Sequence, residues 1–268
     1  MKTEHITKLL NWFEGKNSVL VALSGGVDSA LVAYSAYVKL GKSAIAVTAD
    51  YKTLAQEELE YAKKISLEIG IKHIVIEYNE LANESFVKND NNRCFYCRSE
   101  LSEHLLEIAK EFESDIIVDG TNIDDLGDYR PGILALQENG IRSPLAEAGF
   151  SKKMVRETAK NVCLSVYDKP SNSFLASRIP WGQSVTAERL ARIEVGEKIV
   201  KQLTGAKQVR VRDMDGIAKI EVGVDELSLL ENSLILQKIK NKLKLISFED
   251  VSIDPEGYRP GKINVITN

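Results

Sequence analysis

The residues best suited to chemistry form one short string, Ser24-Gly25-Gly26-Val27-Asp28-Ser29. Glycines allow backbone N–H groups to converge on an anion, and the two serine hydroxyls add further donors. Asp28 cannot bind phosphate directly, so we expect it to hold a Mg²⁺ ion that bridges phosphate groups. The string lacks the lysine of the G-x-x-x-x-G-K-[ST] loop, and transfer of a terminal phosphoryl group is therefore not the expected chemistry.

Two predicted elements of regular structure flank the string. An apolar, β-rich run at residues 18–23 precedes it, and a helical pattern at residues 29–40 follows it. The start of a helix adds its dipole to the anion-binding N–H groups. A glycine turn with a serine helix cap is the alternative interpretation, but the strand–loop–helix context favours a phosphate-binding loop.

The alternation of strand and helix continues along the chain. Further apolar strands are predicted at residues 44–48, 73–76 and 115–119, and one charged helix at residues 55–69. This order implies right-handed crossovers and a parallel sheet, which binds ligands beyond the carboxyl ends of its strands. Asp50 and the stretch Asp119-Gly120-Thr121-Asn122 follow two of the strands, so we expect them to face the same crevice as the loop.

The pattern changes after about residue 180. We predict a helix at residues 186–203 and two strands, at 209–212 and 217–222, that pair across a turn at Asp215-Gly216. A second helix at residues 227–245 and a short strand at 251–253 follow. Elements without the earlier rhythm indicate a smaller α+β domain. The predicted architecture is an α/β parallel-sheet domain at residues 1–180 and an α+β domain at residues 181–268.

Composition narrows the class of protein. The 268 residues are 44% hydrophobic and carry a formal net charge of −4. No apolar run reaches the roughly 18–20 residues of a membrane-spanning helix, and the polar N-terminus has no secretory apolar core. We expect a cytoplasmic protein that does not bind membranes. Nucleic-acid binders usually carry a basic patch or a basic total charge, so we expect no nucleic-acid partner.

Three cysteines are present, Cys94, Cys97 and Cys163. An odd and sparse set argues against a disulfide framework. The C-x-x-C spacing of Cys94 and Cys97 is typical of iron–sulfur ligands, redox pairs and half zinc sites alike. Cys163 fits a small buried hydrophobic residue, and the histidines lack metal-ligand spacing.

The string at residues 24–29 resembles the SGGxDS loop of the PP-loop ATP pyrophosphatases, which include GMP synthetase, NAD synthetase, asparagine synthetase and several tRNA-thiolating enzymes. The resemblance implies an adenine nucleotide alpha hydrolase-like fold. It also implies ATP that is cleaved between its α and β phosphates, leaving an adenylated substrate and pyrophosphate. We expect Mg²⁺ at Asp28 and Asp125. We expect ATP at Ser24, Gly25, Gly26, Asp28, Ser29, Asp50 and Gly120.

Three later stretches occur in the order found in the LarE family of sulfur-insertion enzymes, and they lie at residues 119–132, 169–180 and 209–221. The resemblance covers nearly the whole chain. It implies a pyridinium dicarboxylate mononucleotide as substrate, a carboxylate that ATP adenylates, and sulfur that replaces oxygen to give a thiocarboxylate. LarE-like proteins help to build the nickel-pincer nucleotide of lactate racemase. They form homo-oligomers, which we expect here by resemblance alone.

A candidate substrate site lies in the second predicted domain. Arg210 and Arg212 are two residues apart on a strand, so both side chains project from one face. Two guanidinium groups, with Arg259 as a third, suit a substrate phosphate. The alternative is a solvated strand face with surface salt bridges. By resemblance, Glu197 matches a carboxylate of the family's substrate site, and Arg178 follows the loop that closes the first domain.

Members of the LarE family differ in the source of the sulfur that they insert. Some members sacrifice one cysteine in the loop before the Ser-Arg pair, and others use three cysteines to hold a 4Fe-4S cluster that carries an extra sulfide. Here Ser173 or Phe174 stands where that loop cysteine is expected, and serine cannot supply sulfur. We expect a cluster held by Cys94 and Cys97, with Cys163 as a candidate third ligand. A non-cysteine third ligand, a zinc or redox pair, a persulfide and loss of sulfur transfer remain alternatives.

Three other functions compete with sulfur insertion. A tRNA thiolase shares the loop and a C-x-x-C, but the acidic net charge argues against it. An ammonia-using ligase would make the cysteines and the arginine pair incidental. A non-catalytic nucleotide-binding regulator agrees with the missing loop cysteine, yet Ser24, Asp28 and Ser29 are all retained.

Overall fold

The computed structural model describes residues 2–126, 131–172 and 174–259. The chain forms two compact units, Met1–Asn79 with Asn92–Asn172 and Glu80–Asn91 with Ser173–Asn268. Residues 80–91 thus belong with the C-terminal part, and the domain boundary expected at residue 180 stays a prediction. Within the described ranges, no helix has both the length and the apolar character needed to cross a membrane.

The two units contain the following strands and helices, given in chain order. The strands are β1 Val19–Ala22, β2 Ala44–Asp50, β3 Lys72–Glu77, β4 Ile116–Val118, β5 Val209–Met214, β6 Ile217–Val222 and β7 Asp250–Ile253. The helices are α1 Lys2–Trp12, α2 Val27–Leu40, α3 Gln56–Ile69, α4 Glu84–Val87, α5 Arg93–Glu111, α6 Pro131–Glu138, α7 Pro144–Glu147, α8 Lys152–Asn161, α9 Ala187–Thr204 and α10 Ser233–Leu245.

The first unit is built on a parallel sheet with the strand order β3-β2-β1-β4. Successive β1 side chains point to opposite faces. Val19 and Val21 pack in one apolar cluster with Leu31 of α2, and Leu20 packs in another with Leu105 of α5. Helices therefore cover both faces, and the predicted α/β parallel-sheet fold is confirmed.

The second unit contains a smaller mixed sheet with the order β5-β6-β7. β5 and β6 are antiparallel and β7 is parallel to β6. The predicted turn is confirmed, and Asp215 and Gly216 both have positive φ, which suits the tight turn of a hairpin. The single helix predicted at residues 227–245 is wrong at its start. Val224–Leu230 is a 3₁₀ helix, and α10 begins after Asn232, whose side chain accepts from the N–H groups of Leu234 and Ile235.

The phosphate-loop candidate occupies the point where the strand order of the first sheet reverses. β1 lies between β2 and β4, and loops at such a point face an open crevice. Gly25 in this loop has φ +79°, and a Cβ there would lie 2.5 Å from the carbonyl oxygen of Glu58 in α3. Only glycine satisfies both the backbone conformation and the close approach to α3.

Replacing Gly25 by alanine tests this constraint. Gly15 is a matched control because its φ is +73° and a Cβ there meets nothing within 4 Å. We expect Gly15→Ala to lower the free energy of unfolding by about 1 kcal/mol, from the backbone conformation alone. Gly25→Ala should cost about 1–3 kcal/mol more, since its Cβ must displace backbone. Urea unfolding measures both, and equal losses would show that α3 does not constrain the loop.

Candidate active site

The loop after β1 is closed by its own two serines. The Ser24 N–H donates to Ser29 Oγ at 3.1 Å, and the two hydroxyl oxygens are also 3.1 Å apart. Ser29 Oγ donates to the Gly26 carbonyl at 3.2 Å. Gly26 is the N-cap of α2 and no side chain caps that helix. The first N–H groups of α2 are therefore available to an anion, as a phosphate loop requires.

Asp28, in the first turn of α2, is held by Asn122, from the stretch expected to face the same crevice as the loop, and by Lys152, which the sequence analysis did not single out. Asn122 Nδ2 donates to Asp28 Oδ1 at 3.1 Å, and the Lys152 ammonium forms an ion pair with Asp28 Oδ2. The Asn122 N–H in turn donates to Asp125 Oδ2 at 3.2 Å. Asn122 thus links both predicted magnesium ligands, and their hard oxygen donors fit that ion.

The end of β4 lies directly against this loop. A Cβ on Gly120 would lie 2.6 Å from the Ser29 backbone nitrogen, so glycine is required for the contact. Asp119 is buried and accepts from Thr121 Oγ1 at 2.6 Å and Ser143 Oγ at 2.8 Å. Asp50 is the buried last residue of the neighbouring β2. The predicted ATP residues therefore come from three adjacent strand ends, while the contacts that each makes with ATP stay predictions.

The C-x-x-C pair lies one turn apart on α5, with Cys94 half-buried and Cys97 buried, so both thiols share one helix face. Arg98 lies next to them. Burial opposes its charge, but the negative forms of Cys97, Tyr51, Asp119 and Cys94 raise the pKa of Arg98 above its ordinary value. Arg98 is therefore within electrostatic reach of both the cysteine pair and Asp119, the residue that follows β4 at the carboxyl edge of the sheet.

Cys163 lies in a different environment from the one expected. It is exposed, so its assignment as a buried hydrophobic residue is wrong. It has φ +60° just after α8, where the Leu164 N–H bonds the Ala159 carbonyl at 2.9 Å. That arrangement is a helix C-terminal cap usually filled by glycine, which explains the exposure.

No third cluster ligand emerges from the described ranges, where no three His, Cys, Asp or Glu side chains come together in a metal-binding group. The role of Cys163 as that ligand stays a prediction. Ser173 lies outside the described residues, as do Asp128, Tyr129 and Arg130 of the first LarE-like stretch and Pro260 after Arg259.

The second unit contains a buried cluster of arginines and glutamates. Arg178 is fully buried and binds Glu197 through two bonds, Nε to Oε1 at 2.8 Å and Nη2 to Oε2 at 3.1 Å. Arg212 binds Glu221 through Nε at 3.0 Å and Nη2 at 2.8 Å. Each carboxylate thus satisfies one guanidinium group.

Arg210 joins this cluster from the same strand as Arg212. Both guanidinium groups lie over the Tyr258 ring, at 5.0 and 5.9 Å from its centre, which confirms that they project from one face of β5. Both are buried, so the alternative of a solvated strand face is wrong. Arg259 follows Tyr258 and is exposed.

The protonation of the cluster follows from burial and charge. Burial opposes the charge of Glu197, but Arg178, Arg210 and the Val211 N–H lower its pKa below the ordinary value. Burial and the nearby Arg178 lower the pKa of Arg210 to about 10. Three arginines and two glutamates leave these five side chains with one excess positive charge at neutral pH. A buried site of this kind suits an anionic group such as phosphate.

Comparisons with known proteins agree with this picture. The chain is 40% identical over 264 residues to an uncharacterized protein of Synechocystis sp., covering 98% of both chains. It is 32% identical over 249 residues to the pyridinium-3,5-bisthiocarboxylic acid mononucleotide synthase of Lactiplantibacillus plantarum, a LarE protein, covering 92% of this chain and 88% of that one. The chain belongs to the LarE family.

More distant matches place this LarE-family protein in the PP-loop class. Residues 18–98 match the family described as queuosine biosynthesis protein QueC. The tRNA-specific 2-thiouridylase MnmA of Wolbachia pipientis is 25% identical over 195 residues, 59% of this chain and 52% of that protein. The protein is therefore an ATP-using PP-loop sulfurtransferase, and the family implies ATP and Mg²⁺ as its cofactors.

Removing Arg210 and removing Arg178 from the LarE-family cluster should change the free energy of unfolding in opposite directions. Folding lowers the pKa of Arg210, so at neutral pH, below both the folded and unfolded values, its charge opposes folding. Arg210→Met should therefore raise the free energy of unfolding by about 1–2 kcal/mol. Arg178→Met leaves the buried Glu197 carboxylate without its ion-pair partner, and it should lower the free energy of unfolding by about 3–5 kcal/mol. Urea unfolding at pH 7 measures both free energies. A large loss of stability in both variants would contradict the expected difference in sign.

Proposed function

We propose that this LarE-family enzyme uses ATP and Mg²⁺ to activate a carboxylate of a pyridinium dicarboxylate mononucleotide, and then replaces a carboxylate oxygen by sulfur. The observation that carries the proposal is the buried cluster of Arg178, Arg210 and Arg212, whose guanidinium groups would bind the phosphate of a phosphorylated substrate. The related synthase of Lactiplantibacillus plantarum is named for a pyridinium bisthiocarboxylic acid mononucleotide. That name supports the substrate class.

The chemistry has two steps. A substrate carboxylate oxygen attacks the α phosphorus of ATP, and pyrophosphate leaves; Mg²⁺, when bound, would neutralise the charge of the leaving pyrophosphate. A sulfur nucleophile then attacks the activated carbonyl carbon, and AMP leaves with the former carboxylate oxygen. The first step is needed because an oxide is a poor leaving group and AMP is a good one. Asp28 and Asp125, which Asn122 links, would hold the Mg²⁺, and the α2 N–H groups would bind phosphate.

The Cys94–Cys97 pair is the candidate sulfur site of this enzyme. Its two thiols share one face of α5, and thiolates of this spacing fit two ligands of a 4Fe-4S cluster. Such a cluster, when bound, would supply a nucleophilic sulfide. The negative forms of both cysteines contribute to the raised pKa of Arg98, which places this guanidinium group beside the pair.

The proposal also covers the cellular location and the oligomeric state of the enzyme. We infer a cytoplasmic homo-oligomer that acts on a small nucleotide rather than on nucleic acid. The net charge of −4 supports the small substrate, since nucleic-acid binding depends on neutralising phosphates with Lys and Arg. The similarity to tRNA-specific 2-thiouridylase makes tRNA the substrate to exclude by experiment.

Pyrophosphate release tests the activation step. With ATP, Mg²⁺ and the pyridinium dicarboxylate mononucleotide, we expect pyrophosphate from the wild type. Asp28→Asn should slow its release about 100-fold, because a magnesium ligand is lost. Asp225→Asn is the control, since Asp225 is an exposed acid in the second unit, and it should retain the wild-type rate. Release that depends on tRNA and not on the mononucleotide would identify a tRNA thiolase instead.

Metal content tests the sulfur site. After anaerobic purification and reconstitution, we expect about four irons and labile sulfide per chain. Cys94→Ala should lose both. Cys163→Ala should retain them if a non-cysteine group is the third ligand, and should lose them if Cys163 is that ligand. Iron-free protein that still forms thiocarboxylate would remove the cluster from the mechanism.

A further inference from the structure

A segment without helix or strand, residues 164–172, follows α8 and is held against the first unit by side chains along its length. We call it the strap. The Glu68 carboxylate accepts from the Ser165 N–H at 2.8 Å. Arg156 donates to the carbonyl of Tyr167 at 2.9 Å and to that of Lys169 at 2.7 Å. The backbone around Lys169 is therefore fixed independently of its own side chain.

The Lys169 side chain reaches from the strap to the phosphate loop. Its ammonium donates to the Gly25 carbonyl at 2.9 Å and to Glu58 Oε2 at 2.6 Å. It lies 3.8 Å from the centre of the Tyr61 ring, and its side chain is only 11% exposed. Asn172, at the other end of the strap, donates to Glu58 Oε1 at 2.9 Å. Lys169 is thus a buried cation with a carboxylate, a ring and one loop carbonyl around it.

This contact determines the direction of a loop N–H group. The Gly25 carbonyl and the Gly26 N–H belong to one planar trans peptide, so they point in opposite directions. Fixing the carbonyl on Lys169 therefore aims the Gly26 N–H away from the strap. Two consecutive glycines have more conformational freedom than other residues, so a contact from the strap favours one orientation of this peptide.

We propose that Lys169, with Glu58, is a positioning residue that presets the phosphate loop for ATP. The proposal rests on the proposed use of ATP. Because Glu58 neutralises the ammonium, Lys169 orders the peptide that binds phosphate. A preset loop loses less conformational freedom on binding, which strengthens binding without a new contact.

The test compares two partly buried cations in the full-length protein. Arg192 in the second unit is a close match to Lys169, because it binds the buried Asp213, donates to the Ser247 carbonyl and lies over the Phe248 ring. Calorimetric titration with ATP and Mg²⁺ should show about tenfold weaker binding for Lys169→Met. Arg192→Met should bind ATP within about twofold of the wild type, because distant sites act independently.

Further variants separate positioning from folding. Lys169→Arg keeps a cationic donor and should recover part of the lost affinity. Lys169→Met combined with Glu58→Gln leaves no stranded charge, so it tests the same bond if the single variant does not fold, and it should also bind about tenfold more weakly.

Three results would overturn the inference. Wild-type affinity in Lys169→Met would show that the loop is ordered without it. Equal loss in Lys169→Met and Arg192→Met would make the effect one of general stability. Failure of the wild type to bind ATP would remove the proposed function itself, and the positioning role with it.

Discussion

The close approach of three backbone segments at the start of α2 is the constraint on which the first unit depends. Gly25 lies against the α3 backbone, and Gly120 lies against Ser29 from the end of β4. Both contacts need residues without a Cβ, and both follow from parallel pairing of β1 with β2 and β4. Because these elements meet at the reversal of strand order, the loop N–H groups, Asp28 and Asn122 gather at one edge of the sheet.

The second unit depends on burying charge rather than on close backbone contact. Removing arginine and glutamate from water costs free energy that ion pairing only partly recovers, so such a cluster is a poor way to stabilise a fold. Arg210 shows this cost most directly, since folding lowers its pKa to about 10. A group that opposes folding at neutral pH agrees with the proposed binding role, in which an incoming phosphate would bring negative charge to the buried arginines.

The sequence was sufficient wherever local pattern determines structure. Alternation of apolar and polar residues correctly predicted β5, β6 and the turn at Asp215-Gly216, because strand faces and tight turns depend on neighbouring residues. The helix predicted across residue 232 failed because one asparagine, as a helix cap, outweighed a continuous helical pattern. Burial of Cys163 was also mispredicted, since its position after α8 is set by a capping geometry that cysteine rarely adopts.

Long-range contacts explain the site residues that the sequence did not reveal. Lys152 meets Asp28 across 124 positions and Lys169 meets Gly25 across 144, and no local spacing encodes such pairs. Each lysine is an ordinary charged residue within its own segment. By contrast, Ser24–Ser29 and the Arg210–Arg212 pair could be recognised because their functional groups lie on one turn or one strand face. Lys169 could be noticed in sequence only within a LarE-like stretch, which carried no role for it.

Charge balance distinguishes how the two units would bind phosphate. Near the loop, Lys152 is paired with Asp28 and Lys169 with Glu58, so each named cation there already has a carboxylate. Phosphate binding at that site would then depend on backbone N–H groups, the α2 dipole and the Mg²⁺ that Asp28 is proposed to hold. The arginine cluster instead would bind phosphate through its buried guanidinium groups. This difference suits the proposed reaction, in which pyrophosphate would leave and the substrate phosphate would stay bound.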